Sequence, residues 1–172
     1  MDYFLTEDQK AIRDLARKIA EERVVPVRAE LDEKEEFPWG PLKYLADVGL
    51  FGVYIPEAYG GLGYGSFENC LAIEEISRAC GSTGVITAVH NSLAAWPIVN
   101  WGTDAQKEKY LPRMATGELL GAFGLTEPNA GSDPAAMEAT AVLKGDKYIL
   151  NGCKRFITNG GVAGLFIAFA KT

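Results

Sequence analysis

Two short segments bring together hydroxyls, glycine, proline and aromatic carbon in a way that could do chemistry. The first, residues 125–133 (LTEPNAGSD), follows directly on the strand-like residues 122–124 (AFG). Pro128 removes a backbone donor and fixes one torsion, while Gly131 permits positive φ and close approach of a ligand to the backbone. Such a loop can turn several N–H groups inward, and Thr126 and Ser132 add hydroxyls. It therefore offers neutral, directional donors suited to a phosphate or a polarised carbonyl. The same residues also suit a plain turn in which Asn129 and Asp133 satisfy their own neighbours. The second segment, residues 154–161 (KRFITNGG), reads as a strand with Phe156 and Thr158 on one face. A flat ring could lie on that phenyl while the hydroxyl meets its polar edge. Its alternative is a buried phenylalanine before an Asn-Gly turn, with Lys154 and Arg155 as solvated charges.

Other residue types capable of chemistry lack the company they need. Residues 60–65 (GGLGYG) do not have the G-x-G-x-x-G spacing and follow no clear strand, so they read as a packed turn. His90 is the single histidine, on an otherwise apolar helix, and reads as a hydrogen-bonded core residue without partner ligands at metal spacing. Glu74 and Glu75 read as exposed helix charges with little support for a base role. Cys70, Cys80 and Cys153 are odd in number and lack C-x-x-C spacing, which points to reduced thiols serving as small buried apolar residues.

Helices must carry the first two thirds. Thr6 and Gln9 form a capping-box pattern ahead of Ile12, Leu15, Ala16 and Ile19, and Pro26 kinks or ends the run. Pro38 and Pro41 open a second helix with Leu42, Leu45 and Ala46 as its stripe and Gly49 as its stop. Ser66 is expected to cap a third, bearing Phe67, Leu71 and Ile76. A fourth starts near Thr83 and is bent by Pro97. Thr103 and Gln106 repeat the capping-box spacing. After Gly117 the period changes: residues 137–152 (MEATAVLKGDKYILNG) predict two strands around a tight KGDK turn, and RFIT and GLFIAFA predict further strands. A boundary is expected near 117–121, giving a helical domain at 1–119 and part of a β domain at 120–172.

The 172 residues, 48% hydrophobic and 23% charged, suffice for one or two globular units with a real core. The net charge of −6 with interspersed signs gives no electrostatic footprint for nucleic acid or an anionic membrane, so an anionic ligand must be held by local donors. With an acidic N-terminus and no membrane-length apolar run, the chain is expected to be cytoplasmic, or in the mitochondrial matrix as a mature eukaryotic protein.

Taken together, YIPEAYGGLGYG at 54–65, HNSLAAWPI at 90–98, GTDAQKEKYLPRMATGE at 102–118, LTEPNAGSD at 125–133 and LNGCKRFITNGG at 150–161 resemble the acyl-CoA dehydrogenase family over the whole chain. The resemblance implies an α+β architecture: an all-α N-terminal domain, the start of a β-barrel-like domain, and a C-terminal four-helix domain absent from this chain. It implies FAD as cofactor, an acyl-CoA substrate, an electron-transferring flavoprotein as partner and assembly as a homotetramer. By motif position, Phe123, Leu125 and Thr126 are expected at the flavin, and Gly131 and Ser132 near its phosphate, with Ser132 also at the acyl-CoA. Phe156 stands where the family commonly has tryptophan, so its stack would be smaller. Ile157 accompanies it, and Thr158 is expected to donate toward flavin N5.

The family's reaction removes an α proton by a glutamate while a hydride leaves the β carbon. That glutamate is expected in the missing C-terminal region, so no catalytic residue is assigned, and the chain alone is expected to be inactive. HNSLAAWPI and LTEPNAGSD resemble the short-chain, butyryl-type members, and the glutaryl-CoA branch carries arginine at the position matching Gly84, which together imply a short, monocarboxylic acyl chain here. An acyl-CoA oxidase-like relative and a non-catalytic binding module are the competing readings. Intact Thr126, Ser132 and Thr158 weigh against the module.

Overall fold

The computed structural model describes residues 4–172. Helix α1 (Glu7–Ile19) starts where the sequence predicts: Thr6 Oγ1 accepts the Gln9 N–H at 3.2 Å and Gln9 Oε1 accepts the Thr6 N–H at 3.0 Å. Ile12, Ala16, Ala20 and Val24 recur every four residues and are all buried, a stripe that continues through a π-helical turn at Ala20–Val24 before Pro26 ends the run. A short α2 (Arg28–Glu33) leads to α3 (Trp39–Asp47), which buries Leu42, Leu45 and Ala46. It ends at Gly49, whose φ of +85° is open to glycine at little cost. Residues 60–65 are the packed turn expected: Leu62, Gly63 and Tyr64 donate to the carbonyls of Gly52, Ile55 and Val53 at 2.8–2.9 Å.

Helix α4 (Ser66–Ala79) departs from expectation in two ways. Gly65, not Ser66, is its N-cap, and the donor is satisfied from the other direction, by Glu68 accepting the Gly65 N–H at 3.1 Å. Glu75 is also not an exposed charge. It is 5% exposed and chelated by Arg17 at 2.6 Å and Arg78 at 3.1 Å, an ion pair that fastens α4 to α1. Helix α5 (Gly81–Ala88) runs on through π turns at Val89–Ala95 into α6 (Trp96–Trp101). The ladder loosens immediately before Pro97, which has no N–H to give. Helix α7 (Asp104–Ala115) opens with the second capping box, Thr103 with Gln106. Leu45, Leu50, Phe51, Val53, Ile55, Ile76, Leu111 and Met114 fill the core of this helical unit.

The strand-rich part forms two small sheets. Strand β1 (Gly121–Gly124) pairs in parallel with β4 (Leu165–Ala168), in register Gly121 to Leu165. The hairpin β2 (Thr140–Lys144) and β3 (Lys147–Asn151) closes through Gly145-Asp146, with Gly145 at φ +65° as a two-residue turn requires. Ala141 N–H donates to Lys171 O at 2.7 Å and Lys171 N–H to Ala139 O at 2.8 Å, tying the hairpin to the chain that follows β4. The expected strand at RFIT does not form: among the described residues, 155–158 carry no strand, and Phe156 and Asn159 sit at φ +55° and +66°. A β-ladder cannot pass through left-handed residues. The cysteines also differ from expectation, with Cys70 and Cys153 exposed and Cys80 half-buried. Among the described residues no helix is long and apolar enough to cross a membrane.

Candidate functional site

Strand β1 delivers the first group of candidate residues. Ala122 and Gly124 are buried while Phe123 is half-buried, its ring edge-on to Phe169 at 5.1 Å. Leu125 and Thr126 leave the strand half-buried, and the Thr126 hydroxyl has no hydrogen-bond partner among the described residues. The chain then turns at Glu127, where the backbone of Glu127 and Ala130 closes on itself. The Glu127 carboxylate accepts the N–H groups of Glu138 and Ala139, so residues 128–137 form a loop pinched at its base by one side chain.

The second group lies on a strap rather than a strand. Residues 152–164 run alongside β1 and are stitched to both of its ends. Arg155 N–H donates to Thr126 O at 2.8 Å at one end, and Asn159 Nδ2 donates to Gly121 O at 2.9 Å at the other. Phe156, Ile157 and Thr158 span the distance between these two anchors. Phe156 is 89% exposed at a φ that costs a phenylalanine of the order of 1–2 kcal/mol. The Thr158 hydroxyl, like that of Thr126, has no partner among the described residues.

The structure therefore brings Phe123, Leu125 and Thr126 beside Phe156, Ile157 and Thr158. It does not bring Gly131 and Ser132 with them: both are exposed on the pinched loop, and nothing among the described residues bonds them to the strap. Gly131 also lacks the positive φ its type permits. The turn chemistry of Asn129 and Asp133 is local, with Asn129 donating to Glu138 and Asp133 accepting the Ala135 N–H at 3.1 Å. Phe123, Leu125, Thr126, Ile157 and Thr158 are half-buried, and Phe156 is exposed. The cleft framed by Val24, Leu31, Pro38, Cys80 and Thr83 in the helical unit contains none of these residues.

Two residues absent from the sequence-based set hold the site together. Lys154, expected as a solvated charge, pairs with Glu127 at 2.7 Å and donates to Leu125 O at 3.0 Å, with 17% and 2% of the two side chains exposed. The bond from Lys154 and the two backbone donors hold the Glu127 carboxyl far below the usual carboxylate range, at about 2. The first motif offers two acids, Glu127 and Asp133, and the second opens with two bases, Lys154 and Arg155, so charge alone does not single out the pair. The pair is visible only once the segments are known to touch.

His90 couples this region to the helices. Its Nε2 donates to Met114 O at 3.1 Å, its Nδ1 accepts the Gly121 N–H at 3.2 Å, and its ring stacks on Phe51 at 4.6 Å. It is thus the hydrogen-bonded core residue expected, neutral, with burial pushing its pKa down to about 4. Among the described residues no group of three or more histidine, cysteine, aspartate or glutamate side chains could hold a metal.

Comparison with known proteins places these features. Residues 6–118 match the model of the acyl-CoA dehydrogenase N-terminal domain and residues 122–172 that of the acyl-CoA dehydrogenase middle domain. A short-chain-specific acyl-CoA dehydrogenase of Clostridium acetobutylicum is 48% identical over the whole chain, which spans 45% of that relative. A chain in the solved structure of the electron transferring flavoprotein of Acidaminococcus fermentans superposes with a TM-score of 0.94 at 46% identity, over 100% of this chain and 45% of that one. An acyl-CoA dehydrogenase of Bacillus anthracis, solved as a complex with FAD, superposes at 0.90 with 38% identity, over 98% of this chain and 29% of its own. The chain is thus about half the length of the curated relative it matches, and the two domain models together account for nearly all of it. It belongs to the acyl-CoA dehydrogenase family.

Proposed function

We propose that the full-length protein containing this chain oxidises a short, monocarboxylic acyl-CoA thioester to its 2-enoyl form, with FAD held at the junction of β1 and the 152–164 strap. The observation that carries this is the stitching of the strap to β1. It sets two unpartnered threonine hydroxyls and an outward phenyl ring on adjoining segments. That donor set fits a flat heteroaromatic ring whose edge is rich in acceptors. Thr126 and Thr158 would hold its polar edge and Phe156 would lie against its face, with Phe123, Leu125 and Ile157 as apolar surroundings. Gly131 and Ser132, exposed on the pinched loop, are free to meet phosphates or the thioester's carrier. Bound FAD supplies the acceptor for the hydride leaving the β carbon, and a hydroxyl donated to the acceptor position would favour the charge that builds there.

The buried bases of this chain are spoken for. Glu75 is saturated by Arg17 and Arg78, which hold its carboxyl below the usual range, and Glu127 is ionised down to about 2. Both ring nitrogens of His90 are engaged. A general base for the α proton needs a pKa nearer the working pH, which these three groups do not offer, and the likeness to the family implies that it comes from residues beyond these 172. A monocarboxylic substrate is supported at Gly84, where a Cβ would stand 2.1 Å from Ser77 Oγ and 2.9 Å from Ser77 Cα. The contact between α4 and α5 leaves no room there for the long cation that would pair with a distal carboxylate. Transfer of electrons to an electron-transferring flavoprotein and tetrameric assembly complete the reading.

The test is anaerobic mixing of the full-length protein with butyryl-CoA. Bleaching of the flavin band, with slow recovery on admitting air, is expected. Rapid recovery in air would favour an oxidase, and no bleaching with any short acyl-CoA would contradict the proposal.

A further inference from the structure

We propose that the Glu127–Lys154 ion pair is a positioning device that engages the backbone carbonyls at the exit of β1, leaving groups that can donate, and fixes that exit against the strap. This inference rests on the flavin reading above. Four successive carbonyls leaving β1 are each occupied: Gly124 O by the Phe169 N–H at 3.0 Å, Leu125 O by Lys154 Nζ at 3.0 Å, Thr126 O by the Arg155 N–H at 2.8 Å and Glu127 O by the Ala130 N–H at 3.3 Å. With these backbone carbonyls engaged internally, the polar groups left over at this exit can donate, among them the N–H and hydroxyl of Thr126. An acceptor-rich ring edge requires that polarity, and a carbonyl facing it would repel it.

Lys154 sits at the centre of the arrangement. One ammonium holds a carbonyl of the β1 exit and the carboxylate at the base of the pinched loop, while its neighbour Arg155 holds the next carbonyl through its backbone. Glu127 in turn fixes Glu138 and Ala139, so the pair sets the spacing of β1, strap and loop together. Removing Lys154 would leave a carboxylate whose side chain is 2% exposed without its cation, and Leu125 O without its donor. The cost would then appear as rotation of the Leu125–Thr126 peptide, the unit that must face the cofactor.

The experiment uses the full-length protein and its Lys154→Met, Glu127→Gln, double and Lys154→Arg variants. FAD affinity is read by fluorescence titration, the flavin visible spectrum by absorbance and folding by circular dichroism, at a temperature well below each Tm. Each single charge removal is expected to raise the Kd for FAD about tenfold or more and to shift the visible bands. The double variant should be no worse than the more severe single, and Lys154→Arg should recover part of the affinity. Variants with a lowered Tm but the parent's Kd and spectrum would overturn the inference, because the pair would then only brace the fold. Should either single fail to fold, the double variant decides: parental affinity in it is equally fatal. A parent protein that takes up no FAD would sink the flavin reading, and this inference with it.

Discussion

At the residue scale, His90 makes the most specific demand on solution conditions. As a neutral imidazole it donates to Met114 and accepts from Gly121, and protonation would set a donor against the Gly121 N–H. Its folded pKa lies below its unfolded value of 6.5, so the unfolded state binds the proton first as pH drops. Stability should therefore be intact above pH 6.5 and be lost as pH falls toward 4, by on the order of 3 kcal/mol from this group. Urea unfolding of the chain and of His90→Gln between pH 7.5 and 4 checks this, and an unchanged slope in the variant would refute it. Glu127 has the same sign in a lower window, its contribution fading as pH falls from about 4.5 toward 2. Gly84 is a second residue-scale test. Gly84→Ala should cost about 1–3 kcal/mol, because its new methyl meets Ser77 on α4. A variant as stable as the parent would show that the helices part easily, and with that the argument for a monocarboxylic substrate loses its footing.

At the element scale, what could be read in advance was what is fixed within a few residues. Thr6 with Gln9 and Thr103 with Gln106 declare their helices because both partners of each reciprocal bond lie three positions apart. Thr6→Ala and Thr103→Ala should each lower the denaturation free energy by about 1 kcal/mol, a loss measurable by denaturant titration. The Gly145 turn and the stop at Gly49 were legible for the same local reason. Glu75 was not, since the arginine that buries it lies 58 residues away in α1. The strap reads as a strand in the sequence because its residues have strand-like types. Its residues bond to Gly121, Leu125, Thr126 and Glu127, partners about 27–38 residues away, and Phe156 and Asn159 take positive φ, Asn159 within a local turn. The candidate site was thus legible in its side-chain chemistry. The backbone that presents it, and the ion pair beneath it, were not.

At the scale of the whole molecule, the helical unit is a platform and the strand-rich part supplies the surface on which the flavin is proposed to lie. His90 clasps the two by bonding α7 through Met114 and β1 through Gly121. The hydroxyls of Thr126 and Thr158 have no partner among the described residues, and the nearby Glu127 carboxylate is held by Lys154 and two backbone donors. The 172-residue chain on its own is therefore expected to show no acyl-CoA turnover in a dye-reduction assay, and measurable turnover would contradict the assignment of the base to other residues. The central claim is that the two threonines on β1's exit and the strap hold a flavin, and FAD titration of the full-length protein beside its Thr126→Val and Thr158→Val variants tests it most directly. The account predicts a yellow parent binding one FAD per chain and a Kd raised about tenfold in each variant. A parent that stays colourless in excess FAD, or two variants that bind it as the parent does, would contradict it.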